Sequence, residues 1–197
     1  MEVRVSFDNR EVAFLIYGTN YYSLARHAAF VAFGVCPILF HYAVEMFLKA
    51  IIIASQPNMS ASELNTKLRG YGHALGRMWT NIKLLAPHRK LERLDRTIGR
   101  LDQVEFCRYP EVESPVVIGW HWDHRRDAPF VQHNDGLQHV FVSVDEVDEL
   151  VFVLWQVFGL PIGTAIRGWD SSTSGLVTQA YEHLNRFPIP SEPPTHW

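Results

Sequence analysis

Hydrophobic positions recur at helical spacing most clearly between residues 88 and 108. There Leu91, Leu94, Ile98, Leu101 and Val104 fall on one face while Arg93, Arg96, Arg100 and Asp102 point elsewhere. Upstream, YYSLARHAAFVAF from about Asn20 to Phe33 suits a buried helix, and the stretch before it, VRVSF and EVAFLIYG, reads as a strand or a helix start. Pro37 is tolerated in the first turn of a helix running to about Ser55, and Gln56, Pro57 and Asn58 end it. Ser60 and Glu63 have the spacing of a capping box and open a short helix towards Leu68. Beyond the turn at Gly70 and Gly72, GHALGRMWTNIKLL continues as a helix until Pro87.

The pattern changes after residue 109. Three prolines, two glycines and the β-rich runs PVVIGWHW and LQHVFVSV suggest a hairpin or loop insertion. A second capping-box spacing, Ser143 and Glu146, begins the helix of DEVDELVFVLWQVFG, whose acidic first turns suit the helix dipole. A short helix is expected from about Ser174 to Asn185, and PIPSEPPTHW reads as a loose tail. The expected fold is therefore mainly α. One domain, residues 1–187, forms a bundle of about five or six helices with a β-hairpin-like insertion at about 112–142, and a flexible Pro-rich tail, 188–197, follows.

Composition agrees with a globular chain: 197 residues, 47% hydrophobic and 20% charged. A formal charge of -3 offers no overall electrostatic case for nucleic acid, though a local basic patch stays open. Cys36 and Cys107 are too few for a disulfide framework or a cysteine metal cluster and read as buried, reduced thiols. MEVRVSFDNR carries charges where a secretory leader needs an apolar stretch. The apolar run at 28–40 is interrupted by Gly34 and Pro37 and falls short of the roughly 20 residues a spanning helix needs. A cytoplasmic protein without a membrane partner is expected.

Residues 41–53, HYAVEMFLKAIII, are mostly apolar yet carry Glu45 and Lys49 one turn apart. Glutamate four residues before lysine is the favourable order for an intrahelical pair, contributing about 0.2–0.5 kcal/mol when exposed. In such a helix the pair must lie at a solvated bundle edge or find partners for its charges. The edge is the simpler expectation.

Ala43, Glu45, Leu48, Lys49 and Ala50 in this stretch resemble the second-helix pattern of the HEPN family, small helical domains associated with nucleotide and RNA biology. GHALGRMW, with His73, Leu75 and Trp79, resembles that family's third helix, and Arg108, Tyr109 and Pro110 of CRYPE resemble the arginine-tyrosine-proline sequence after its fourth. The resemblance spans roughly residues 20–158 less the insertion. It implies a homodimeric binding module acting on or with a nucleotide, an RNA, or a nucleotidyltransferase-like antitoxin, with Glu45, Lys49, His73, Arg108 and Tyr109 as ligand-binding residues. No cofactor is expected. The apolar LVFVLWQVF of the last helix suits either a dimer seam or a core position.

Many HEPN domains are metal-independent ribonucleases that use an arginine, four to six intervening residues and a histidine. That chemistry is sound, because histidine moves protons near neutral pH and arginine holds a phosphate through two hydrogen bonds. Arg126 and His133 are the single match in this chain, where composition alone predicts about two. They flank Pro129 in the insertion, whereas the family's motif belongs near the start of the last helix, which here has neither residue type. The expectation leans away from catalysis, with an endoribonuclease of toxin or defence type using Arg126 and His133 as the alternative. The insertion also holds His121, Asp123, His124, His133, Asp135 and His139 without a standard metal-ligand spacing, so no metal is expected there. Arg125, between aromatics, is the remaining candidate for a phosphate or nucleic-acid backbone.

Overall fold

The structure, a computed structural model, describes residues 10–31, 35–105, 116–121 and 138–159. Among these residues six α-helices run in the order α1 (Val12–Val31), α2 (Cys36–Ala54), α3 (Ala61–Tyr71), α4 (Leu75–Leu85), α5 (Asp95–Gln103) and α6 (Val144–Phe158). A 3-10 turn, Leu91–Leu94, leads into α5, and two strands, β1 (Val116–His121) and β2 (Gln138–Ser143), lie between α5 and α6. The expected helix at about 174–185, the tail from 188 and Cys107 lie outside the described residues.

α2 is the axis of the bundle. It packs against α1, α4, α5 and α6, and Phe40, Val44, Phe47, Leu48 and Ile51 along it are fully buried. Its length and composition would also suit a membrane span, but 72% of that window is buried inside the protein. Pro37 sits in its first turn, as expected. α1 begins at Val12, earlier than its sequence suggests. Local preference at VAFLIY is ambiguous, and packing decides. Leu15, Tyr22, Ala25 and Ala29 form the buried face against α2, and Gly18 comes so close that an added Cβ would lie 2.7 Å from the Phe47 ring.

The five periodic residues Leu91, Leu94, Ile98, Leu101 and Val104 are all buried, at most 2% exposed. The capping box at Ser60 and Glu63 has both of its hydrogen bonds. Ser143 forms only half of the second one. Its hydroxyl accepts from the Glu146 amide at 3.2 Å, while the Glu146 carboxylate accepts from Arg100 at 3.0 Å. The stronger charged partner draws that side chain away from the helix end. Gly159 closes α6 in the left-handed conformation, φ 71°, where glycine has no Cβ penalty.

The two strands pair in parallel, from Val116 with Gln138 to His121 with Ser143, which corrects the expected hairpin. A parallel pair needs a crossover of roughly a dozen residues or more, and the chain between the strands, 122–137, is long enough. β1 lies against α2 and β2 against α5 and α6, so the strands cap the helical core rather than standing away from it.

α6 is pinned to α1 by a buried polar triad. Asp148 accepts hydrogen bonds from the Tyr22 hydroxyl and from Arg26, and Arg26 also donates to the Tyr22 oxygen at 3.2 Å. All three residues are at most 5% exposed. Burial alone would lower the Arg26 pKa, but Asp148 and Tyr22 outweigh it and hold the guanidinium charged. Removing one partner of such a pair costs about 3–5 kcal/mol because the other charge stays buried. Asp148→Ala should lower the unfolding free energy by that order. Combining it with Arg26→Met should cost less than the two single changes added, in a denaturant double-mutant cycle.

Burial, reinforced by the Asp148 charge, raises the pKa of Tyr22 and of the nearby Cys36 thiol. Both folded-state values are raised, so the stability they contribute is complete below their unfolded pKa values, about 10 for Tyr22 and 9 for Cys36, and is lost as pH rises above them. Thermal midpoints should therefore fall between pH 9 and 10.5, with a limiting slope of about 1.4 kcal/mol per pH unit for each group. Cys36→Ala should flatten the part of that fall nearest pH 9, whatever its effect on the midpoint at neutral pH.

Candidate functional site

His41, Glu45 and Lys49 occupy successive turns of one face of α2, four residues apart. The expected solvated edge is not where they lie. Glu45 is 1% exposed, and its charge is met by side chains instead. One carboxylate oxygen, Oε1, accepts from Lys49 Nζ at 2.5 Å. The other, Oε2, accepts from His73 Nδ1 at 3.0 Å. Lys49 is itself only 12% exposed, whereas His73 is 48% exposed and forms the open side of the cluster. An unpaired carboxylate at this depth would be costly, and these two donors offset that cost.

His73 is placed by the turn between α3 and α4. Gly72 ends α3 at φ 59°, a conformation that favours glycine, and Ala74 has no side chain with which to cap α4. Asp102 of α5 supplies the cap from across the bundle. Its two oxygens accept from the amides of Leu75 at 2.7 Å and Gly76 at 3.3 Å. A carboxylate at a helix N-terminus also suits the helix dipole. The turn that carries His73 is therefore tied to α5.

Two further residues complete the cluster. His41, 1% exposed, has Nδ1 2.8 Å from the Leu101 carbonyl oxygen. A carbonyl only accepts, so Nδ1 donates, and in the neutral ring the lone pair falls on Nε2. His41 Nε2 is buried without a hydrogen-bond partner among the described residues. It lies 3.5 Å from Glu105 Oε2 and 3.8 Å from Glu45 Oε2. Glu105 follows α5 directly and is one-quarter exposed.

The structure thus brings together Glu45, Lys49 and His73 and adds His41, Glu105 and Asp102. A sequence signal existed for His41, since i, i+4, i+8 spacing aligns it with Glu45 and Lys49. Glu105 and Asp102 approach only through the packing of α5. Arg108, Tyr109, Arg125, Arg126 and His133 lie outside the described residues, as do Asp123, His124 and Asp135. His121 and His139 fall on β1 and β2, where the His139 ring stacks on Phe141.

Comparison of the chain with models of known families, with curated proteins and with solved structures gave no match.

In chemical terms the cluster has two carboxylates and two imidazoles facing one another, with a single ammonium already engaged. Among the described residues it suits a cation better than a phosphate. Asp102→Ala removes the α4 cap and should destabilise the protein by about 0.5–2 kcal/mol. In the same variant the His73 ring resonances should shift in NMR spectra, because its turn loses its tie to α5. An unchanged His73 environment would show that the turn is positioned without that cap.

Proposed function

We propose that the protein is a HEPN-like helical module that works by binding rather than by catalysis and acts as a homodimer. The observation that supports pairing is the outer face of α1. Val12, Ile16, Tyr17 and Leu24 are 41–57% exposed, and all four are large hydrophobic residues on one helix. Such a concentration on a single element supports a protein–protein surface. Of the two basic side chains in α1, Arg26 is buried with Asp148 and His27 is half-buried, so the exposed stripe is uncharged. An uncharged apolar face suits pairing with its own copy about a two-fold axis, since like charges are not brought together. α6 is the less suitable seam: Val147, Leu150, Val151, Leu154 and Phe158 are already buried within the chain.

The partner classes are those the family resemblance implies: a nucleotide, an RNA, or a nucleotidyltransferase-like protein. Lys49 is neutralised by Glu45, so a phosphate would be met through Arg108, Tyr109 and Arg125 rather than through the α2 cluster.

Light scattering on the purified full chain at tens of micromolar should give twice the chain mass. Ile16→Glu combined with Leu24→Glu should give a monomer with an unchanged circular dichroism spectrum. A monomeric wild type overturns the dimer. RNA incubated with the protein and a chelator should remain intact, whereas cleavage lost in both Arg126→Ala and His133→Ala would overturn the non-catalytic reading.

A further inference from the structure

We propose that His41, His73 and Glu105 form a binding site for a divalent transition-metal ion of the zinc class, with Glu45 positioning His73 and the Leu101 carbonyl positioning His41. One donor atom from each of the three lies within 4.8 Å of the others. Tetrahedral zinc with bonds of about 2.1 Å sets neighbouring donors about 3.4 Å apart. His41 Nε2 and Glu105 Oε2, 3.5 Å apart, already have that spacing. His73 is the half-exposed member, so small movements of its ring close the set without disturbing the core.

The decisive atom is His41 Nε2. It is buried, it lacks a hydrogen-bond partner among the described residues, and it is aimed between two carboxylates. A buried polar atom without a partner is costly, and native proteins rarely leave one. The opposite nitrogen donates to the Leu101 carbonyl, which fixes the ring and directs the Nε2 lone pair inward. Metal-binding histidines are held in the same way, with the second nitrogen bonded to a carbonyl or a carboxylate. Glu45 accepts from His73 Nδ1 at 3.0 Å, so it holds that ring beside the site, while the Leu101 carbonyl holds His41.

The donor set identifies the ion class. Two imidazoles with carboxylate oxygen suit zinc and its neighbours, whereas magnesium and calcium prefer all-oxygen shells. Because His41, His73 and Glu105 come from α2, the α3–α4 turn and the end of α5, a bound ion would join three parts of the bundle. His73, 48% exposed, is the side from which water or a further ligand would reach the ion. The site is independent of the α1 dimer surface and stands or falls separately from it.

The test uses untagged, full-length protein stripped of metal by chelator. Calorimetric titration with Zn2+ should show one ion per chain, and Co2+ should give the visible absorption of a four-coordinate site. Thermal midpoints should rise with Zn2+ and stay unchanged with millimolar Mg2+ or Ca2+. His41 is too deeply buried for a clean substitution, so the variants are His73→Ala and Glu105→Gln, whose side chains are partly exposed. Each should keep the metal-free circular dichroism spectrum and weaken Zn2+ binding at least tenfold. His88→Ala, at an exposed histidine elsewhere, should leave binding unchanged. Absence of Zn2+ binding by the wild type, or equal binding by wild type and both variants, overturns the site.

Discussion

A carboxylate inside an apolar helix constrains everything packed around it. α2 is the bundle's axis because it is its most apolar element, yet Glu45 on that helix is 1% exposed. Water does not reach the charge, so protein donors must, and they come from different directions. Lys49 reaches it from the next turn of α2, and His73 from the turn before α4. The position of α4 is thereby coupled to α2 by a directional contact as well as by apolar packing. Asp102 adds a second constraint by capping α4 from α5. Sliding α4 by one turn would keep much apolar contact but strip Asp102 of both amides and Glu45 of His73, so these contacts specify register where burial alone would not.

The same device appears on the opposite side of α2 with a different outcome. Asp148, Arg26 and Tyr22 join α6 to α1 as a compact, buried set, every member hydrogen-bonded to another. Both clusters answer one requirement, that polar groups in a helical core be satisfied. The Tyr22–Arg26–Asp148 set does so with partners of matched charge. In the Glu45 set one imidazole nitrogen, His41 Nε2, faces two carboxylates without a hydrogen-bond partner among the described residues. The first arrangement closes on itself, whereas the second leaves His41 Nε2 open towards Glu105 and Glu45. That difference, more than the presence of charged residues in the core, distinguishes the α2 cluster chemically.

Much of the helical scaffold was legible in the sequence because its determinants are local. The period of Leu91, Leu94, Ile98, Leu101 and Val104, the box at Ser60 and Glu63, and the place of Pro37 depend on residues within a turn or two of one another. Where distant partners compete, local signals gave less. Glu146 had the spacing for a full box but pairs with Arg100, and α1 starts early because Leu15 and Gly18 meet α2. Alternating strand residues in β1 and β2 were visible, but the direction of pairing was not, since it depends on the path of the connection. In the site, the Glu45–Lys49 pair and His73 were legible as residues of interest. Their convergence was not, nor was the arrival of Glu105 and Asp102, because both depend on how α5 crosses α2 and α4.

That dependence links the cluster to the architecture. Leu101, buried in the α5 face that packs into the core, also offers the carbonyl that orients His41. Asp102, the next residue, caps α4 and so holds the turn carrying His73. Glu105, one turn beyond Leu101, faces His41 Nε2. Three residues of one short segment therefore set the tautomer of one histidine, the placement of another and the carboxylate opposite them. α5 is the element through which a change in packing would reach the cluster. Conversely, an ion held between His41 and Glu105 would act first on the end of α5.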